Sequence, residues 1–406
     1  MHPIPDPPLR TQAGREFAPA APAPDRGEMA LVLTGGGARG AYQVGMLRYL
    51  ARAYPELRFP IMTGVSAGAI NIALLCQHHG TFRQAVDELA QLWAELVPEK
   101  IFRVDVRSLM TNVGRWGLRL TSGGVTDART RALVDTAPLR QLLEEALAPV
   151  HGELTGIDYN LHRGTLRAVA FSTTDYTTGQ SVVWVQGRDI ETWERPGRIS
   201  RQCRLTVDHV MASSALPLFF PAVQIGPHWY GDGGIRLTAP LSPALHLGAS
   251  KILTVSTRYD RTRGEASRPD IAGYPPPAQV IGLLLDAIFL ELVDQDVARM
   301  ERMNEVLARV PPDRRQGMRI VELMVLRPSR DLARIAAEYE PRLPRAFRLM
   351  TRGLGTRETA SPDVLSMLMF QDDYAKRLMA LGESDAERRA EEIDRFINAP
   401  AGEQAA

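Results

Sequence analysis

Short apolar runs alternate along this chain with longer stretches of helical period. Ala30-Leu31-Val32-Leu33 is apolar at every position, as expected of a parallel strand buried on both faces. It feeds Thr34-Gly35-Gly36-Gly37-Ala38-Arg39-Gly40 and then Ala41 to Ala53, where Val44, Leu47 and Leu50 recur at helical spacing. After Pro55 to Arg58 a second strand ends at Gly64, and Ile70 to Cys76 reads as a buried helix, small and apolar nearly all round. Thr81 to Leu96 is amphipathic, with Phe82, Val86, Leu89, Leu92, Trp93 and Leu96 on one face. Another helix follows Thr136-Ala137-Pro138 and groups Leu139, Leu142, Leu143, Ala146 and Leu147.

Leu166 to Phe171 and Ser181 to Val185 read as strands joined through Thr178-Gly179 in a hairpin-like connection. Asp208 to Ala215 predicts a short helix stopped by Pro217. Ala222 to Ile225 and Trp229-Tyr230 predict strand pieces leading into Gly231-Asp232-Gly233-Gly234. Pro243 to Gly248 has a helical pattern and Lys251 to Ser256 that of a strand. Past a Pro/Gly-rich break at Arg268 to Pro277, the period predicts one long helix from about Gln279 to Val310, then a strand at Ile320 to Leu326. Residues 331–406 are charged, helical and without strand signals. The alternation over 29–330 predicts an α/β fold: three α/β/α layers with a mainly parallel central sheet, plus a C-terminal helical extension at 331–406. Residues 1–28, rich in Pro and Ala, predict a disordered leader.

Composition narrows the function classes. At 406 residues the chain holds one large or two medium domains, and its 45% hydrophobic and 23% charged content is that of an ordinary globular protein. A net charge of +1 leaves no global nucleic-acid footprint. With two cysteines, Cys76 and Cys203, there is neither a disulfide framework nor a zinc-ligand cluster; no ligand cluster is visible elsewhere, and no metal or other cofactor is expected. No stretch reaches the roughly 18–20 apolar residues needed to span a bilayer; Val280 to Val293, the best candidate, is interrupted by Asp286 and Glu291. The N-terminus lacks the layout of a secretory signal, so a cytoplasmic location is expected.

Candidate chemistry gathers at Gly64-Val65-Ser66-Ala67-Gly68. Glycines on both sides let the backbone turn sharply between strand and helix, so that the Ser66 hydroxyl projects from the strand end. The pentapeptide alone also fits a serine in a Gly/Ala-rich loop. Three readings compete for Gly35 to Gly40. As G-x-G-x-x-G it suits a dinucleotide, but the acidic residue due at the end of the next strand is missing, and Glu56 lies before that strand. As a P-loop it lacks the Lys-Ser/Thr pair. As an oxyanion loop it offers unhindered backbone N–H groups at a helix N-terminus, one strand from Ser66. For a base, only His246 lies beyond Asp232, in a segment of buried helical pattern, and His78 and His79 close the helix after Ser66. Asp232 follows an apolar strand among Gly231, Gly233 and Gly234. It fits an Asp-Gly turn equally well, and it becomes a useful base only if desolvation raises its pKa from about 3.9.

Four blocks in this order and spacing carry a resemblance: Gly35-Gly36-Gly37-Ala38-Arg39-Gly40, Gly64-Val65-Ser66-Ala67-Gly68, Ala212-Ser213-Ser214-Ala215-Leu216-Pro217 and Asp232-Gly233-Gly234. Over residues 29 to about 260 the chain resembles the patatin-like phospholipases. The resemblance implies a catalytic domain over 29–330 and hydrolysis of lipid acyl esters by a Ser–Asp dyad without histidine. By position, Ser66 corresponds to the nucleophile, Asp232 to the base, and Gly35, Gly36, Gly37, Ala38, Arg39 and Gly40 to the oxyanion loop. Gly64, Val65, Ala67 and Gly68 form the turn around the nucleophile, and Gly233 and Gly234 complete the Asp-Gly-Gly motif. Arg39 fixes the loop or meets a lipid phosphate, an ordinary surface arginine being the alternative; the Ala212–Pro217 block looks structural. The expected partner is a lipid or another acyl ester. A nucleotide-binding module built on G-x-G-x-x-G is the competing class. Pro98 to Leu120 interleaves arginines with Trp116 and large aliphatics, which suits a lid, a peripheral membrane contact or a solvated loop. Residues 331–406 match no motif, and a dimer contact, a regulatory helix pair and a helical cover are all open.

Overall fold

The computed structural model describes residues 28–103, 132, 134–217, 219–267, 271, 273–289, 291–344, 348 and 362–399. Most of the N-terminal leader and Val104 to Leu120 of the arginine-rich stretch lie outside the described residues. The strands are β1 (Glu28–Leu33), β2 (Ile61–Gly64), β3 (Ala168–Asp175), β4 (Ser181–Gly187), β5 (Glu194–Arg195), β6 (Arg198–Gln202), β7 (Val223–Ile225), β8 (His228–Asp232), β9 (Ala249–Val255) and β10 (Glu322–Leu326). They form a ten-stranded sheet in the order β10-β9-β1-β2-β3-β4-β6-β5, with the β7–β8 hairpin attached to β3. From β10 to β3 every pairing is parallel, and β3–β4 is antiparallel across the predicted hairpin.

The even apolar run of β1 serves two cores. Leu31 and Leu33 enter one hydrophobic cluster, whereas Ala30 and Val32 enter a second one on the opposite face, as the two-residue period of a strand requires. Helices α1 (Gly40–Ala53), α2 (Ala67–Gln77) and α3 (Phe82–Ala94) cover the first face. Thr81 and Gln84 close a capping box at the start of α3, which satisfies two otherwise orphan donors of its first turn.

Several elements depart from the sequence expectation. The single helix expected from Gln279 to Val310 is two helices, Pro277–Phe289 and Leu292–Ala308. Leu285 and Phe289 pack into the first core, but Val293, Val297 and Met300 pack into the second; a straight helix does not serve both faces of a sheet. The chain turns between them with Glu291 N–H donating to the Asp286 carbonyl at 3.1 Å. Helix Thr155–Arg163 was not expected, because one of its inward residues is polar. Asn160 is buried and donates to the carbonyls of Cys76 and His78, at 2.9 Å each. Strands β5 and β6 were likewise not expected.

The C-terminal helices are part of the main core. In Asp372–Arg388, Tyr374, Leu378, Met379 and Ala386 are buried in the same cluster as Tyr42 and Met46 of α1, and the Tyr42 hydroxyl donates to Asp385 at 3.0 Å. Among the described residues no helix is long and apolar enough to cross a membrane.

Candidate active site

Ser66 stands at the turn from β2 into α2, where it adopts φ 56° and ψ −130°. Positive φ is rare for a residue with a side chain and is held only where the surroundings enforce it. Those surroundings are backbone contacts. Val65 N–H donates to the Leu33 carbonyl at 3.3 Å, and Ser66 N–H donates to both the carbonyl (3.1 Å) and the hydroxyl oxygen (3.2 Å) of Ser213. After the turn α2 lies flat on β1: a Cβ on Gly68 would come within 2.2 Å of the Leu33 carbonyl oxygen, so only glycine fits there. Gly64 and Ala67 complete the turn, both buried.

The sheet brings Asp232 to Ser66. β2 runs beside β3 from Ile61/Ala168 to Gly64/Phe171 and then turns away. β8 pairs with β3 at Thr173/Asp232, Thr174/Gly231 and Asp175/Tyr230, antiparallel, while β4 already occupies the other edge of β3 through Thr174. β8 therefore fills the lane that β2 leaves, and Asp232 arrives beside the turn at Ser66. Asp232 N–H donates to the Ala215 carbonyl at 3.1 Å, and its own carbonyl accepts from the Thr174 hydroxyl at 2.8 Å. The Ala212–Pro217 block thus holds both candidates, Ser66 through Ser213 and Asp232 through Ala215.

Asp232 is fully buried. Its Oδ1 accepts from Gly234 N–H at 2.9 Å, whereas Oδ2 has no partner of full hydrogen-bond geometry among the described residues. The Ser66 hydroxyl stands beside the carboxylate rather than squarely bonded to it, an arrangement common in unliganded sites. Burial drives the Asp232 pKa up to about 7, against the opposing pull of the Ser66 hydroxyl and the Gly234 N–H. The charged form is disfavoured because it has left water.

The glycine loop passes on the other side of the hydroxyl. A Cβ on Gly35 would stand 3.0 Å from Ser66 Cβ and 3.6 Å from its Oγ. Gly36 (φ 139°) and Gly37 (φ 57°) have positive φ, and a turn of 3₁₀ helix, Gly37–Arg39, leads through Ala38 into α1 at Gly40. No acceptor among the described residues takes the N–H groups of Gly36 and Gly37.

Arg39 is not a surface arginine. It is buried, donates through Nε to the Ser366 hydroxyl at 2.7 Å, pairs with Asp363, and lies 4.0 Å from Asp286. Burial works to lower its pKa, but Asp363 and Asp286 outweigh that and raise it. Asp286 is pushed up to about 8 by burial, with Arg39 opposing and Asp363 adding to the rise. Nothing in the sequence links Asp286, Asp363 or Ser366 to Arg39. They lie some hundreds of positions from Arg39 in a region without a motif, so no local signal marks them.

A pocket with about 620 Å³ of empty volume, counting its open mouth, begins at Ser66, Ala67 and Gly37. Its walls are apolar and include Leu92 and Leu96, Leu139 and Leu143, Phe220 and Phe370. Phe289 closes another side of the site: its ring lies against Gly234 and near Gly35. Among the described residues no histidine lines the pocket or hydrogen-bonds to Ser66 or Asp232. His78 caps the far end of α2, and His246 stacks on Trp193 with ring centroids 4.5 Å apart. Among the described residues no group of three or more His, Cys, Asp and Glu could hold a metal ion.

A sequence model of the patatin-like phospholipases matches residues 31–245. Among curated proteins the chain is similar to calcium-independent phospholipase A2-gamma of Rattus norvegicus, 26% identical over 231 residues, which are 55% of this chain and 26% of the relative. It is also similar to the Homo sapiens protein of that name, at the same identity and coverage. The match spans about a quarter of the length of these relatives. Among solved structures, human GIVD cytosolic phospholipase A2 shares 13% identity over 91% of this chain and 62% of that one, with a TM-score of 0.42, a likeness too weak to build on. With the family model covering more than half of its length, the chain belongs to the patatin-like phospholipase family.

Proposed function

We propose that this protein is a serine hydrolase of lipid acyl esters, of the phospholipase A, lysophospholipase or esterase type, with Ser66 as nucleophile and Asp232 as base. The observation that carries the reading is a hydroxyl held in a strained turn beside a buried carboxylate whose pKa burial has lifted to about 7. A base poised near the working pH combines a useful ionised fraction with real proton affinity.

In the proposed first step Ser66 Oγ attacks the ester carbonyl while its proton passes to Asp232, and the tetrahedral oxyanion forms. The Ser66 N–H is committed to Ser213, so stabilisation of the oxyanion falls to the glycine loop. The N–H groups of Gly36 and Gly37, with the N-terminus of α1 behind them, supply it. One such donor is typically worth a factor on the order of 10²–10³ in rate. Collapse expels the alcohol, which takes the proton from Asp232. Water, deprotonated by the same carboxylate, then hydrolyses the acyl-enzyme. The apolar pocket at Ser66 takes the acyl chain, and the helix Pro277–Phe289 exposes Val280, Leu283 and Leu284 beside the site, a surface suited to peripheral contact with lipid.

The competing nucleotide reading has little support. A dinucleotide site needs an acidic residue at the end of the second strand, and β2 ends instead in Thr63-Gly64 with Val65-Ser66 following. The deciding experiment is labelling with a fluorophosphonate combined with a panel of phospholipid, lysophospholipid and simple ester substrates. Labelling and hydrolysis are expected in the wild type, absent in Ser66→Ala and strongly reduced in Asp232→Asn. Full activity in Ser66→Ala would overturn the mechanism.

A further inference from the structure

We propose that the segment Asp363–Gln371, far beyond the family-matched residues, is a working part of this site and sets the acyl-chain length through Phe370 and Met367. The inference rests on the hydrolase reading and adds the determinant of substrate choice.

The segment is anchored before it reaches the pocket. Asp363 and Ser366 hold Arg39, and the Ser366 hydroxyl also donates to the Asp363 carbonyl at 2.7 Å. One residue on, the Met367 carbonyl packs against Gly37, where the loop meets it too closely for any side chain. The short helix Asp363–Leu368 then ends in a tight turn. Met369 has φ −79° and ψ 64°, and Phe370 N–H donates to the Leu368 carbonyl at 2.9 Å, the geometry of an inverse γ-turn. That turn aims Phe370 into the pocket, where it lines the wall with Met367 and Leu368.

Phe370 is backed by other rings. Its ring meets Phe102 edge-on with centroids 6.1 Å apart, and Phe102 in turn lies 6.1 Å from Phe220 at a tilt. Phe220 and Phe370 line the pocket, whereas Phe102 does not and is 2% exposed. The two lining rings are therefore the face of a wall with a buried ring behind it. An acyl chain entering past Ser66 runs between leucines and stops where it meets this wall, because ring–ring packing in a dense interior yields little. The volume of residue 370 then decides how many methylenes fit.

The test measures kcat/KM for p-nitrophenyl esters from acetate to laurate with the full chain. In the wild type kcat/KM rises roughly fourfold per methylene while the chain finds apolar space, then levels off. In Phe370→Ala the levelling point moves to longer chains, by about two carbons or more, and in Phe370→Trp it moves to shorter ones. Phe370→Leu, a milder change, is expected to shift in the direction of the alanine variant and stands in if that variant does not fold; Met367→Ala is expected to shift the same way. An unchanged chain-length profile in the folded variants overturns the inference while leaving the hydrolase reading intact. Absence of Ser66-dependent hydrolysis in the wild type overturns that reading itself.

Discussion

Ser213 grips Ser66 twice: the Ser66 N–H donates to the Ser213 carbonyl at 3.1 Å and to its hydroxyl oxygen at 3.2 Å. The Ser213 hydroxyl itself donates to the Ser172 carbonyl at 2.8 Å, so the strained turn is tied through one side chain to β3. Ser172 is the residue before Thr173, which pairs with Asp232. One hydroxyl therefore links the supports of both halves of the proposed dyad. Ser213→Ala should cost about 1 kcal/mol of stability, the worth of an ordinary hydrogen bond. Because the turn loses part of its restraint, kcat should fall more than KM changes. Urea denaturation together with steady-state kinetics checks this; a kcat equal to wild type would show that the backbone contact alone positions Ser66.

The pH dependence follows from the environment of Asp232. The base must be ionised to take the serine proton, and burial holds its pKa up at about 7. Log kcat/KM should therefore rise with unit slope below that pH and level off above it. His78, His79 and His246 lie outside the site, so replacing them should leave the profile in place. A rate that stays flat from pH 5 to 8 would contradict the assignment.

The same shift carries a stability cost whose sign is opposite to that of a salt-bridged aspartate. Asp232 titrates near its ordinary value of 3.8 when unfolded and at about 7 when folded. The folded state therefore keeps a proton that the unfolded state releases between those values. Its favourable contribution is fully present below pH 3.8 and is lost as pH rises through about 7. Above that, burying the carboxylate costs at most about 4 kcal/mol. Asp232→Asn should raise the melting temperature relative to wild type, with a gap that widens from about pH 4 to 7 and is constant above. Thermal melts of the two proteins across that range measure it, and a gap independent of pH would refute the buried-charge account.

Arg39 should behave as a buried ion-pair partner. Arg39→Ala leaves the Asp363 carboxylate without its partner in a poorly hydrated space beside Asp286, and such a loss typically costs about 3–5 kcal/mol. It also frees the glycine loop from the C-terminal segment, so kcat should drop with it. Asp363→Asn keeps a hydrogen-bond acceptor and should cost less on both counts. Equal stability of Arg39→Ala and wild type in urea would show that the pairing contributes nothing.

Much of the frame is legible without coordinates, because it rests on neighbours a few residues apart. The apolar run Ala30–Leu33 reads as a doubly buried strand. The glycines around Ser66 announce a turn between strand and helix, and Thr178-Gly179 announces the β3–β4 connection. The candidate residues Ser66, Asp232 and Gly35 to Gly40 stand out for the same reason. Only the tertiary structure decides what surrounds them. Asp232 meets Ser66 because β8 occupies the lane vacated by β2, a matter of sheet order that no local pattern records. The elevated pKa comes from complete exclusion of water, Arg39 finds Asp363 across 324 positions, and the helix expected from Gln279 to Val310 ends at Phe289 and resumes at Leu292 because its halves belong to different cores. Periodicity and motif determine how each segment folds on itself; long-range packing sets the dielectric, the partners and the pocket that give the residues their chemistry.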